Sequence, residues 1–219
     1  MSDPPLTIPT DVEILDLLSA GDRQTPANVA AHLDRDSRYM SERLRTLEQR
    51  GYIRDAPPAE RSGMYELTKL GAIAAFHIHA YVRDYHDTFR TTTERIFVNQ
   101  PEDAFHPDLI VLDDADELAL KHLKDEEGLT VPSEFPMEID SGVENMISMI
   151  SKELYMLSYH GLAERVNNMD VYRITERGEK ALNLLSEGIT VPVELTDRLR
   201  ETYTDEEQER LNNLLDEMT

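Results

Sequence analysis

Apolar residues recur at helical spacing along most of the chain, and short β-prone runs interrupt them at two places. Thr10 and Glu13 read as a capping box ahead of Val12, Ile14, Leu15, Leu17 and Leu18, and Gly21 closes that helix. Thr25 is placed to cap a second helix, with Pro26 at its first position and Val29, Ala30 and Leu33 on one face. Asp36 or Ser37 opens a third, in which Met40, Leu44 and Leu47 stand at i, i+4 and i+7 and Gly51 marks the end. Tyr52 to Arg54 and Met64 to Leu67 flank Ala-Pro-Pro-Ala-Glu-Arg-Ser-Gly and predict a hairpin. Thr68 then caps a long helical pattern whose stripe holds Leu70, Ile73, Ala74, His77, Ile78, Tyr81, Val82, Tyr85, Phe89 and Ile96.

The pattern then repeats. Ser41, Leu44, Leu47 and Gly51 recur 110 positions later as Ser151, Leu154, Leu157 and Gly161. Tyr65, Thr68, Gly71 and Ala74 recur at an offset of 107 as Tyr172, Thr175, Gly178 and Ala181, so the second hairpin is three residues shorter. Helices are expected near Asp116 to Lys124, Pro136 to Asp140, Asn145 to His160 and from Thr175 to Ser186, with strands at Leu162 to Val166 and Val171 to Ile174. Thr204 and Glu207 cap a last amphipathic helix, expected to pack on its own domain. Residues 99–108 read as a linker. The expected fold is mainly α with small β wings (α+β): two winged helix-turn-helix-like units joined by a long helix and linker. Residues 1–75 would form the first unit, 76–108 the long connecting helix and linker, and 109–219 the second unit with its C-terminal helix.

The stretches Thr25-Pro26-Ala27-Asn28-Val29-Ala30, Leu44-Arg45-Thr46-Leu47-Glu48-Gln49-Arg50-Gly51-Tyr52-Ile53 and Tyr65-Glu66-Leu67-Thr68-Lys69-Leu70-Gly71 carry a likeness to known proteins. Over about residues 10–75 the chain resembles the haloarchaeal winged-helix regulators similar to the phage phi-H repressor. The resemblance implies a DNA-binding transcriptional regulator, a repressor, whose third helix enters the major groove.

With Met40, Leu44 and Leu47 turned inward, the opposite face of the third helix carries Arg38, Glu42, Arg45 and Gln49, with Ser41 at its edge. Arg35, Ser37 and Tyr39 lie at its start, and Arg61 and Ser62 at the wing tip suit phosphate. Arginine at such places binds guanine O6 and N7 in a fork or holds phosphate. The expected partner is double-stranded DNA. A homodimer is expected through Leu70, Ile73, His77, Tyr81, Tyr85 and Phe89, a stripe longer than one small unit needs to cover.

At the corresponding places of the second unit Arg35, Arg38, Arg43 and Arg45 become Asn145, Ser148, Glu153 and Tyr155, and Arg50 becomes His160. Met146, Met149, Met156, Tyr155 and Tyr159 make that helix apolar, so it either extends a core or meets another chain, and the unit reads as a dimerisation or protein-partner module. Tandem adaptor and acidic DNA mimic are the rival readings.

Charge sharpens the contrast. The 219 residues hold 44 acids and 22 bases, a net −22. Residues 1–99 have 15 acids and 12 bases, residues 100–219 have 29 and 10. Only five bases are lysine, a balance similar to that of proteins from salt-loving archaea, where carboxylates keep surfaces hydrated. On this asymmetry a fragment of residues 1–99 is expected to bind duplex DNA in low salt, and one of residues 109–219 is not.

No cysteine is present, so disulfide and thiolate-metal chemistry are excluded. Met-Ser-Asp-Pro-Pro is no signal peptide and the apolar runs are short, so no membrane association and a cytoplasmic location are expected. His79 and His86 on one helix would stand about 10.5 Å apart, too far for one metal. With no catalytic constellation or phosphate-cradling glycine loop, the expectation is a non-enzyme without cofactor or metal.

Overall fold

In the computed structural model the described residues are 6–21, 23–56, 63–78, 86–125, 143–166 and 171–218. They are mainly helical, with two small two-stranded antiparallel sheets. The chain divides into two compact units, residues 1–108 with 204–219, and residues 109–203.

The first unit begins with α1 (Thr10–Leu18), α2 (Pro26–Leu33) and α3 (Ser37–Gln49). Strands β1 (Ile53–Asp55) and β2 (Tyr65–Leu67) follow, then α4 (Lys69–Phe76). Ile14, Leu15, Leu18, Val29, Met40, Leu44, Leu47, Ile53, Leu67 and Ile73 form its buried interior. Asp34 ends α2 in the left-handed region (φ 50°), which aspartate tolerates, and so lets α3 start within a three-residue turn. The expected cap at Thr25 is present, and of Asp36 and Ser37 it is Asp36 that caps α3: Thr25 Oγ1 accepts from the Asn28 amide at 3.2 Å and Asp36 Oδ1 from the Tyr39 amide at 2.9 Å. A two-way bridge between Gln24 and Tyr65 adds a one-residue third rung to the hairpin, with no sequence signal of its own.

The Thr10–Glu13 capping box does not form. Pro9 occupies the N-cap without a side-chain bond, and Asp11 Oδ2 instead accepts the Thr7 amide at 2.7 Å. Nor does one long helix run on from Thr68. It stops at Phe76, and α5 (His86–Val98) packs back against α4. The same apolar spacing serves two helices, and of its described members Ile73, Ile78, Phe89 and Ile96 are buried. The linker at 99–108 belongs to this unit, held where Gln100 Nε2 donates to the His106 carbonyl and Gln100 Oε1 accepts the His106 amide, both at 2.8 Å.

The second unit holds α6 (Asp114–Asp125), α7 (Val143–Tyr159), β3 (Ala163–Arg165), β4 (Tyr172–Ile174), α8 (Glu176–Ser186) and α9 (Pro192–Leu199). Ile110, Leu120, Ile150, Leu154, Leu157, Leu162, Tyr172, Leu182, Leu195 and Leu199 form its core. The helix expected near 136–140 lies outside the described residues. Helix α9 was not expected. Its signal is Pro192 at the first helical position, and the Thr196 hydroxyl that accepts from the Ile110 amide at 2.9 Å ties it into the core.

The final helix, α10 (Asp205–Met218), departs from its expected place in the second unit. It belongs to the first, packing on α4, with Leu211 and Leu214 buried and Arg210 Nη1 donating to the Phe76 carbonyl at 3.4 Å. Its capping box is as expected: Thr204 N–H donates to Glu207 Oε2 at 2.8 Å and Glu207 N–H to Thr204 Oγ1 at 3.2 Å.

The repeat extends to individual atoms. Gly51 (φ 77°) and Gly161 (φ 69°) end α3 and α7 in the left-handed region, and the amides of Tyr52 and Leu162 reach back to the carbonyls of Leu47 and Leu157 at 3.1 and 2.8 Å. Thr68 Oγ1 donates to the Gly51 carbonyl and accepts from the Gly71 amide, and Thr175 does the same with Gly161 and Gly178. Ile53 pairs with Leu67 and Ala163 with Ile174, the same register. The cross-strand ion pair recurs with its charges exchanged, Arg54 on Glu66 and Arg173 on Glu164. A third offset of 105 relates the buried Asp11, Ile14, Leu15 and Leu18 of α1 to Asp116, Ala119, Leu120 and Leu123 of α6.

Close backbone packing explains the repeated glycine after each hairpin. A Cβ on Gly71 would stand 1.8 Å from the Tyr52 carbonyl oxygen, and one on Gly178 would stand 2.0 Å from that of Leu162. Each carbonyl already accepts the amide of the capping threonine and has little room to withdraw. Gly71→Ala and Gly178→Ala should therefore each cost about 1–3 kcal/mol, the range for overpacking. Urea unfolding of the full chain checks this, and wild-type midpoints in both variants would refute the packing argument.

Candidate functional site

Helix α3 buries Met40, Leu44 and Leu47 and turns its other face to solvent. At about 100° per residue, Arg38, Glu42, Arg45 and Gln49 fall within an arc of about 60°. All four are exposed; the Arg38 side chain is 90% accessible and that of Glu42 69%. Arg38 Nε lies 3.7 Å from Glu42 Oε1, a loose i,i+4 pair in water. Arg45 lies near enough to Tyr65 of β2 for its charge to be felt there. Burial raises the Tyr65 phenol pKa, Glu48 and Asp55 add to the rise, and the positive charge of Arg45 opposes it.

The flanking residues divide. Arg35 leans toward Glu13 at 3.5 Å with 41% of its side chain accessible. Ser37 is exposed, and its carbonyl accepts the Ser41 hydroxyl at 2.8 Å, so Ser41 has already spent its proton locally. Tyr39 sends its hydroxyl toward Thr10 Oγ1 at 3.4 Å and lies against α1 more than along the open face. Arg61 and Ser62 lie outside the described residues.

Arg43, which the sequence showed only as one of the arginines replaced in the second unit, is structural. Its Nε donates to Asp11 Oδ1 at 2.9 Å and its Nη2 to Asp11 Oδ2 at 2.6 Å, and Asp11 is fully buried. The hydrogen bond to Asp11 raises the guanidinium pKa, against the lowering effect of burial. Sequence reasoning missed this pair. Its signal was an acid at position 11 on the same side of α1 as Ile14, Leu15 and Leu18.

The expected dimerisation stripe is corrected as well. Ile73, His77 and Phe89 are buried within the single chain and Leu70 is half-buried, because α4 is covered by α5 and α10. Tyr81 and Tyr85 lie outside the described residues. On α7, Met156 and Tyr159 are buried, and Tyr155 packs on the core and meets Tyr172 edge-to-face at 6.1 Å. These residues extend a core; the side chains of Met146 and Met149 lie outside the described set.

The charge asymmetry between halves vanishes between units. With α10 the first unit has 24 acids and 13 bases and the second 20 and 9, so each carries −11. A fragment ending at residue 99 would lose α10, one of the two helices that cover α4, so the contrast belongs to the faces of α3 and α7 and is best tested in the whole chain.

At the place of Arg43, the second unit holds Glu153. One carboxylate oxygen from each of Asp113, the fully buried Asp116 and Glu153 lies within 4.8 Å of the others. A reciprocal cap accounts for the two aspartates: Asp113 N–H donates to Asp116 Oδ2 at 2.9 Å and Asp116 N–H to Asp113 Oδ1 at 3.1 Å. Glu153→Arg would restore the pairing seen at Asp11 and should stabilise the chain by about 1 kcal/mol, less at high salt. A lower thermal midpoint in dilute buffer would count against it.

Among the described residues no helix is long and apolar enough to cross a membrane. Compared with known proteins, the chain matches no family model, no curated sequence and no solved structure.

Proposed function

We propose that the first unit is a winged helix that binds double-stranded DNA, laying α3 in the major groove as part of a sequence-specific transcriptional regulator that acts as a repressor. One observation carries this reading: the arc of Arg38, Glu42, Arg45 and Gln49 is exposed on a helix whose opposite side is locked into the core. A helix fixed on one side and lined with long polar side chains on the other fits a groove about 12 Å wide. The order of three helices, hairpin and helix, with the Gln24–Tyr65 bridge, supports the winged-helix assignment. So does the resemblance to the phi-H-type regulators. The reading concerns one chain on one half-site, since Ile73, His77 and Phe89 of the stripe proposed for dimerisation are buried within the chain.

The open face holds few charges. Affinity that depends on released counterions falls steeply with salt, by about 0.9 in log–log slope per phosphate neutralised. In concentrated salt such a face must draw its binding from base contacts. Titration of the full chain against labelled random and selected duplexes, at low and high salt, tests the proposal. Saturable binding that prefers the selected sequences is the expected result.

A second reading, an adaptor or acidic DNA mimic that engages a basic protein, is favoured by the −11 on each unit. Under it no duplex binds even at low salt.

A further inference from the structure

Glu42 is an odd residue for a face that meets a polyanion. It stands between Arg38 and Arg45 along the helix axis, at the edge of the arc, 69% exposed, with no burial to account for it and only a loose 3.7 Å contact to Arg38. A carboxylate in that position repels phosphate whatever the sequence, so it lowers affinity for every duplex alike. Such a cost is offset only where the carboxylate meets a hydrogen-bond donor. In the major groove cytosine offers one, the N4 amino group, and acidic side chains accept from it.

We infer that Glu42 is a specificity-determining residue that reads cytosine, between guanines read by Arg38 and Arg45; this rests on α3 binding the groove. The spacing agrees. Arg38 and Arg45 are seven residues apart, about 10.5 Å along the helix, or about three base-pair steps at 3.4 Å, with Glu42 between them. On random DNA the carboxylate stays unmatched and weakens binding, so one residue both selects the right site and disfavours the wrong ones.

The experiment selects duplexes from a random library with the full-length protein, then measures affinity for all four base pairs at each position. Wild type, Glu42→Ala, Glu42→Gln and Arg38→Ala are compared. Wild type should prefer C·G at one position of the half-site by about 5- to 100-fold. Glu42→Ala should lose that preference at that position alone and bind random duplex more tightly. Glu42→Gln should shift it toward adenine, whose N6 and N7 match an amide. Unchanged discrimination in Glu42→Ala would overturn the inference. So would a loss at the same base pair as in Arg38→Ala, because Glu42 would then only orient the arginine. A wild-type chain that binds no duplex would bring down the DNA reading itself, a different result from a chain that binds while its Glu42 variants discriminate normally.

Discussion

The full chain carrying both Arg38→Ala and Arg45→Ala is expected to lose about 2–6 kcal/mol of specific DNA binding, since a good bidentate base contact is worth about 1–3 kcal/mol. The two side chains sit two turns apart and share no partner, so their losses should roughly add. Neither supports the fold. Arg38 is 90% accessible and Arg45 is exposed, so circular dichroism and the unfolding midpoint should stay at wild-type values. Random duplex should lose less than selected duplex, because phosphate contacts elsewhere carry no sequence information. Wild-type affinity for the selected site in the double variant would remove α3 from the groove. An equal loss on every sequence would demote both arginines to phosphate contacts.

Local signals explain what the sequence could show. The caps at Thr25, Asp36, Thr68, Thr175 and Thr204 each depend on a side chain three residues from its amide, and all were legible, with Ser37 standing beside Asp36 as an alternative. The outward face of α3 followed from where Met40, Leu44 and Leu47 had to go. The signals that failed were those with more than one structural solution. Thr10 and Glu13 have the capping spacing, yet the Asp11 carboxylate takes the Thr7 amide and the helix begins at Thr10 itself. Apolar spacing from Leu70 to Ile96 is the same for one long helix as for two that fold together, and the sequence has no proline or glycine between 77 and 85 to tell the two apart. An amphipathic helix likewise states that it will be covered but not by what. That ambiguity sent α10 to the wrong unit, and the charge argument with it.

The candidate site was legible to the same extent. Arg38, Glu42, Arg45 and Gln49 are where periodicity placed them. Periodicity kept Arg43 off that face but did not give its partner, because an arginine beside an apolar stripe can point to water or fold inward. Only the buried Asp11, 32 positions away in sequence, decides it. The repeat offers the same lesson in reverse. Glu153 read as a lost basic residue on a surface, whereas its position is the equivalent of an internal ion pair.

That ion pair sets up the largest expected effect on stability. Arg43→Ala should cost about 3 kcal/mol, the lower end of the range for removing one partner of a buried pair. Asp11 is fully buried and accepts bonds from the Thr7 amide at 2.7 Å and from Arg43 at 2.9 and 2.6 Å. Without the guanidinium one amide bond must hold a full negative charge out of water. The lower end applies because the Arg43 side chain is 18% accessible and water can partly replace it. Asp11→Ala should cost less, about 1–2 kcal/mol, since Arg43 can swing to solvent and the loss is mainly that of hydrogen bonds. Replacing both, Asp11→Leu with Arg43→Met, should restore most of the deficit, because an apolar pair of similar volume avoids the desolvation penalty. Urea unfolding of the full chain, followed by far-UV circular dichroism, gives the order: Arg43→Ala least stable, Asp11→Ala next, the double variant nearest wild type. A variant order with Asp11→Ala below Arg43→Ala would mean that the pair's energy lies in its hydrogen bonds and not in the buried charge.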